Sequence, residues 1–189
     1  MNRIFTIEEH GAFRSLLDAM SRPGTIHRLS DSVADREGAL ALLARTLLDA
    51  EVSVAGAGAD DEPSVRAMAH ASGCRVADLP EADFVVAGGG SSAGAVSRVR
   101  TGSPDWPDSS ATLVYLVDGI APEGGDMVWT GPGIPGERSP RIDGFDPAEW
   151  DRLREANSGY PIGIDCFFLD ASGRILALPR STRTRGDSR

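Results

Sequence analysis

Hydrophobic positions recur along this chain with two periods, and the alternation between them predicts the order of its elements. Phe13, Leu16, Leu17 and Met20 follow the i, i+3, i+4, i+7 spacing of a half-buried helix. Thr6 and Glu9 stand before it at capping-box spacing, and Ser21-Arg22-Pro23-Gly24 stops it. A short extended piece follows over 25–29. A second helix is predicted from 35 to 49. Leu40, Leu43 and Leu47 form one face, and Leu42 and Leu48 widen it, so it is expected to be buried on most sides. Residues 52–55 read as a strand. Pro63 suits the first turn of a third helix that Gly73 ends.

Residues 83–87 predict another strand, followed by Gly88-Gly89-Gly90 and a weak helix to about Arg100. The segment TGSPDWPDSS is a loop. Ala111 to Val117 is the longest apolar run, interrupted only by Thr112, and predicts a strand in the middle of a sheet covered on both faces. A strand over 126–130 closes on Gly131-Pro132-Gly133, and the long loop PGERSPRIDGF follows. Asp146-Pro147-Ala148-Glu149 has the cap, proline and capping-box glutamate of a helix start, and Gly159 ends that helix. Two last strands, 162–169 and 175–178, are joined at Asp170-Ala171-Ser172-Gly173 as a hairpin. Helices and strands alternate without an internal repeat or long linker. The expectation is a single three-layer α/β domain with a mixed sheet over residues 1–183, and a flexible basic tail over 184–189.

Composition narrows the function. No apolar stretch approaches the roughly 20 residues of a membrane span. The start, MNRIFTIEEHGAF, turns acidic too early for a signal peptide. Cys74 and Cys166 are too few for a disulfide framework, so a reduced, cytoplasmic protein is expected. The net charge of −9 disfavours nucleic acid and anionic membranes unless positive charge is concentrated locally. Residues 180–189 are such a place: they carry +3, and the remainder of the chain carries −12. All 19 basic residues are arginines. Without lysine the chain can form neither an internal aldimine with pyridoxal phosphate nor a Walker phosphate loop, because guanidinium stays protonated and does not condense with an aldehyde.

Four candidate sites follow from the residues. Gly90-Ser91-Ser92-Ala93-Gly94 matches the GxSxG of a hydrolase elbow. Its serine should precede the catalytic histidine, yet His10, His27 and His70 all lie upstream, and a loop of small residues is the plainer reading. Gly88 to Ala93 also satisfies GxGxxA, but no strand ending in an acid completes a dinucleotide site. His70 and Cys74 are too few for zinc and are read as structural. The arginines carry the fourth. Arg138 and Arg141 follow the Gly131 turn, and Arg180 and Arg183, with Ser181 and Thr182 between them, follow the last strand. If loop and tail converge, they form an anion site. The alternatives are a solvated loop and tail, or a salt bridge to another chain.

Three segments carry a resemblance. Phe13 to Gly24 (FRSLLDAMSRPG), Thr130 to Ile134 (TGPGI), and Tyr160 to Asp165 (YPIGID) with Gly173 to Thr182 (GRILALPRST) occur in the order seen in the PhnH family, and the likeness spans about residues 8–183. That family is a subunit of the bacterial carbon–phosphorus lyase core complex. The resemblance implies a role in phosphonate degradation. The step joins a phosphonate to the ribose of a purine nucleoside triphosphate, displaces the base and leaves an alkylphosphonate ribose triphosphate. It also implies a fold like that of pyridoxal-phosphate transferases without the cofactor, a homodimer when isolated, other lyase subunits as partners, and no catalytic residues in this subunit. Arg180, Ser181 and Thr182 fall within the shared segment and are expected to be ordered, serving a subunit contact or a phosphate-bearing ligand. A stand-alone phosphate- or nucleotide-binding transferase using the arginine-rich loops is the alternative.

Overall fold

The most apolar segment of the chain forms β5 (Thr112–Val117), in the middle of a seven-stranded sheet in the computed structural model, which describes residues 6–186. Its side chains alternate between two cores. Leu113, Tyr115 and Val117 face one, and Val114 and Leu116 face the other. A strand buried on both faces has no polar side to show, which is why this stretch reads as one continuous apolar run.

The sheet runs β1 (His27–Arg28), β10 (Arg174–Leu178), β9 (Asp165–Asp170), β5, β4 (Phe84–Ala87), β2 (Ser53–Gly56) and β3 (Arg75–Val76). The five strands from β9 to β3 are parallel to their neighbours; β10 and β1 are antiparallel. The sheet is therefore mixed, as expected. The 25–29 piece supplies its edge, pairing His27 with Ile175 and Arg28 with Arg174.

Helices α1 (Ile7–Ser21), α2 (Arg36–Leu47) and α3 (Glu62–Ser72) contribute Leu16, Leu40, Leu43 and Met68 to the core on one face. The capping box of α1 forms: the Glu9 N–H donates to Thr6 Oγ1 at 3.1 Å, and the Thr6 N–H donates to Glu9 Oε2 at 2.8 Å. The α1 stripe is displaced from its expected position. Ala12, Leu16 and Ala19 are buried, whereas Phe13 and Leu17 are 48% and 57% exposed. Alanines fit close against the flat sheet, so the helix turns its small residues inward and leaves two large ones outside. The other face of the sheet is covered by α4 (Ala148–Ala156) and two strand pairs, β6 (Gly119–Ala121) with β8 (Arg141–Asp143), and β7 (Met127–Thr130) with β11 (Arg183–Gly186).

Three expectations need correction. The weak helix after Gly90 is absent; the chain makes short 3₁₀ turns there, with Ala93 and Gly94 at φ +49° and +86°, which break helical propagation. Part of the long loop at 135–145 is strand, since β8 lies within it. The tail expected from residue 184 is paired through Gly186, where β11 runs antiparallel to β7; residues 187–189 lie outside the described chain.

One carboxylate joins the starts of β2 and β4. Asp83 Oδ2 accepts from the Ser53 N–H at 2.8 Å and from the Ser53 hydroxyl at 2.7 Å, and Asp83 Oδ1 accepts from Arg100. Burial alone would raise the Asp83 pKa, but the Ser53 hydroxyl, Arg100 and the Ser53 N–H together outweigh it and hold the carboxyl below its ordinary value. A depressed folded-state pKa contributes stability above the ordinary carboxylate range, and that contribution is lost as pH falls through it. Asp83→Asn is expected to lower the urea midpoint at neutral pH, and the difference from wild type is expected to shrink as pH falls below the ordinary carboxylate range.

Candidate functional site

The three segments that carry the family resemblance meet in space. A Cβ on Gly133 would lie 2.1 Å from the Ser21 carbonyl, so the glycine turn packs directly on the end of α1. A Cβ on Gly24 would lie 2.9 Å from Arg138 Cδ. A Cβ on Gly131 would lie 3.0 Å from the Ser181 carbonyl, which brings the turn against the segment after β10. Gly131 and Gly133 hold φ of +137° and +78°, which side-chain-bearing residues rarely adopt.

Where the turn and the 181–184 segment meet, a cleft of about 680 Å³ opens. Its walls are Thr130 to Pro132, Ser181 to Thr184, and the end of α4 with Tyr160. Among its lining residues are three arginines, 154, 180 and 183, and no aspartate, glutamate, histidine or cysteine. A molecule of net charge −9 thus has a cleft that no carboxylate lines.

The arginines differ in what they can do. Arg180 is consumed internally: its Nη2 donates to Asp165 Oδ2 at 2.5 Å and to Ser110 Oγ at 2.6 Å, and its Nη1 donates to the Pro107 carbonyl at 2.6 Å. Its backbone N–H also donates to Asp165 Oδ1 at 2.8 Å. Its side chain is 15% exposed and that of Asp165 is 19% exposed. The Arg180 guanidinium is engaged within the chain, where a part-buried bidentate pair ties the YPIGID segment to the PRST segment. Arg154 is exposed and pairs with Asp151 one turn back on α4. Arg183, on β11, is exposed and has no ion-pair or side-chain hydrogen-bond partner among the described residues. Thr182 is 8% exposed, and its Oγ1 is buried without a partner.

Of the arginines and hydroxyl residues singled out in the sequence, Arg180, Ser181, Thr182 and Arg183 line the cleft. Arg138 and Arg141 do not. Arg138 pairs its backbone with Trp129, its N–H donating at 3.1 Å and its carbonyl accepting at 2.7 Å, and lays its stem against Gly24. Arg141 pairs with Asp143 on the surface at 3.0 Å. Sequence reasoning missed Arg154, Ser158 and Thr184 as lining residues. Nothing in the local pattern marks them, because they reach the cleft only through the β7–β11 pairing and the angle of α4. Tyr160 had a signal, an exposed aromatic at the head of the YPIGID segment.

The glycine-rich loops at the carboxyl ends of β2 and β4 are closed to anions. The strand order reverses between these strands, where open α/β sheets often bind ligands. Here Asp61 occupies the place. Its Oδ1 accepts from the Gly88 N–H at 2.7 Å and its Oδ2 from the Gly58 N–H at 2.9 Å. The chain's own carboxylate satisfies the donors that a phosphate would need. Ser92, the candidate nucleophile, is fully buried. Burial also raises the Cys166 pKa well above its ordinary value, which keeps the thiol protonated.

Beneath the neighbouring wall lies a second polar cluster. Glu149 is fully buried, and its Oε2 accepts from the Tyr115 hydroxyl at 2.6 Å while its Oε1 accepts from Arg152 at 2.5 Å. Glu149 was expected to close the capping box of α4; its carboxylate turns into the core instead. Asp146 alone caps the helix, its Oδ1 accepting from the Ala148 N–H at 2.9 Å. Phe145, Trp150, Phe168 and Trp129 surround this cluster at ring separations of 4.8 to 6.3 Å.

Comparison with known proteins identifies the family. Residues 6–185 match the family described as bacterial phosphonate metabolism protein (PhnH). A relative from Rhizobium meliloti (strain 1021), the alpha-D-ribose 1-methylphosphonate 5-triphosphate synthase subunit PhnH, is 32% identical over 185 residues, covering 93% of this chain and 90% of the relative. The chain belongs to the PhnH family of bacterial phosphonate metabolism proteins.

Proposed function

We propose that this chain is a subunit of an alpha-D-ribose 1-methylphosphonate 5-triphosphate synthase, working with the other subunits of a carbon–phosphorus lyase core complex and supplying no catalytic group itself. The near full-length match to a relative of that name carries the reading. The lining of the cleft offers guanidinium and hydroxyl groups that can hold a ligand. The reading also takes the fold as a pyridoxal-phosphate-transferase-like one that has done without the cofactor, in keeping with a chain that has no lysine. It places the chain in the cytoplasm. Among the described residues no helix is long and apolar enough to cross a membrane.

Away from its partners the chain is taken to pair with a second copy. The strip of Phe13 and Leu17 on α1, exposed beside Met20 and Leu47, supports this, since an isologous contact lets one apolar strip cover another.

Deletion of the gene is expected to abolish growth on methylphosphonate as sole phosphorus source, and affinity purification at native expression is expected to bring down the other synthase subunits. Normal growth of the deletion strain would end the reading. The rival, a stand-alone phosphate- or nucleotide-binding transferase, requires turnover by the isolated chain with a purine nucleoside triphosphate and a phosphonate.

A further inference from the structure

We propose that the cleft between the Gly131 turn, the 181–184 segment and the end of α4 binds a chain of phosphoryl groups, with Arg183 as its principal charge partner and Arg154 as a second. The inference rests on the functional reading above for the identity of the ligand, a sugar 5-triphosphate, but not for the existence of the site.

Four observations carry it. Arg183 is exposed and unpartnered among the described residues, on a strand held in place by the β7–β11 ladder, so its charge is available without breaking another contact. Arg154 is tied only to Asp151, an exposed i, i+3 pair of the kind that contributes little and exchanges readily for a better anion. Thr182 lines the cleft, and its buried hydroxyl has no partner among the described residues. Finally, no carboxylate lines the cleft, whereas acids outnumber arginines by 28 to 19 over the whole chain. A site for cations or neutral sugars would not be built this way.

The volume discriminates between one phosphate and several. At about 680 Å³ the cleft falls in the range of sites for whole small molecules, and a single phosphate would leave most of it empty. Tyr160, 67% exposed, adds a flat ring at the rim on which the sugar end can rest. Arg180 has a different part. Its guanidinium is engaged by Asp165, Ser110 and Pro107, so it fixes the shape of the wall and offers no free charge.

Calorimetry of the purified full-length chain with inorganic tripolyphosphate tests the proposal. One saturable site is expected at about 50 mM salt, weakening markedly by about 300 mM as ionic screening rises. Arg183→Ala is expected to weaken binding roughly tenfold or more, and Arg154→Ala by a smaller factor. Arg141→Ala, which removes a surface arginine outside the cleft, is expected to leave it unchanged. Unaltered melting temperatures for the arginine variants establish that they fold. No saturable binding by the wild type, or an Arg183→Ala chain that binds as the wild type does, overturns the proposal. Failure here is distinguishable from failure of the functional reading. Co-purification of synthase subunits without tripolyphosphate binding removes the site and leaves the subunit; binding without co-purification does the reverse.

Discussion

Replacing Arg180 by alanine is expected to destabilise the chain by about 2–3 kcal/mol, the range for losing charge-assisted hydrogen bonds between part-buried groups. The size follows from what remains. Asp165, 19% exposed, would keep only the backbone N–H of residue 180 as a donor, and the Pro107 carbonyl and Ser110 hydroxyl would each lose a charged partner. Surface pairs behave differently: Arg141 with Asp143, about half exposed, falls in the class worth roughly 0–1 kcal/mol. Urea denaturation of Arg180→Ala beside Arg141→Ala measures the contrast. A double variant, Arg180→Met with Asp165→Leu, is expected to recover most of the loss, because no charge is then left buried. Equal losses for Arg180→Ala and Arg141→Ala would show that the guanidinium does not hold the two segments together. The prediction also bears on function, since any loss of activity in Arg180→Ala arises through the unmade wall of the cleft and a less stable chain.

Truncating Glu149 to alanine is expected to cost about 3 kcal/mol, more than removing the hydroxyl that it receives. Burial above all, then the Cys166 sulfur and the Glu149 carboxylate, push the Tyr115 pKa up, so the phenol remains a hydrogen-bond donor at every working pH. Without Glu149 that donor loses its carboxylate acceptor, and Arg152 keeps a longer contact with Asp146 at 3.7 Å. Tyr115→Phe removes one donor and leaves the carboxylate with Arg152, at a cost of about 1–2 kcal/mol. The two variants, unfolded side by side in urea, should rank in that order. The reverse order would mean that the cluster is held by the ring packing alone.

The parts of the molecule governed by local rules were legible in the residues. The Thr6–Glu9 capping box and the left-handed Gly73 after α3 are both short-range devices, complete within a few residues of chain. So is the alternation of β5, because a strand buried on both faces has one reading. Where two arrangements satisfy the local rules, neighbours decided. The Glu149 side chain could cap α4 or enter the core, and the Tyr115 hydroxyl drew it inward. The face of α1 could turn on its large residues or its alanines, and the flat sheet took the alanines.

The candidate site divides along the same line. The sequence by itself determined that arginines and hydroxyl residues cluster after the last core strand, that no lysine chemistry is open to the chain, and that three ordered segments resemble the PhnH family. Which arginines are engaged within the chain was settled by the fold. Arg180 and Arg183 are three residues apart and chemically identical, yet one meets Asp165 in the interior and the other stands free on a strand edge. A guanidinium's role depends on which carboxylate the fold brings to it, and Asp165 lies 15 residues away along the chain. Pairing of that range is set by the packing of β9 against β10, which no local pattern around an arginine records.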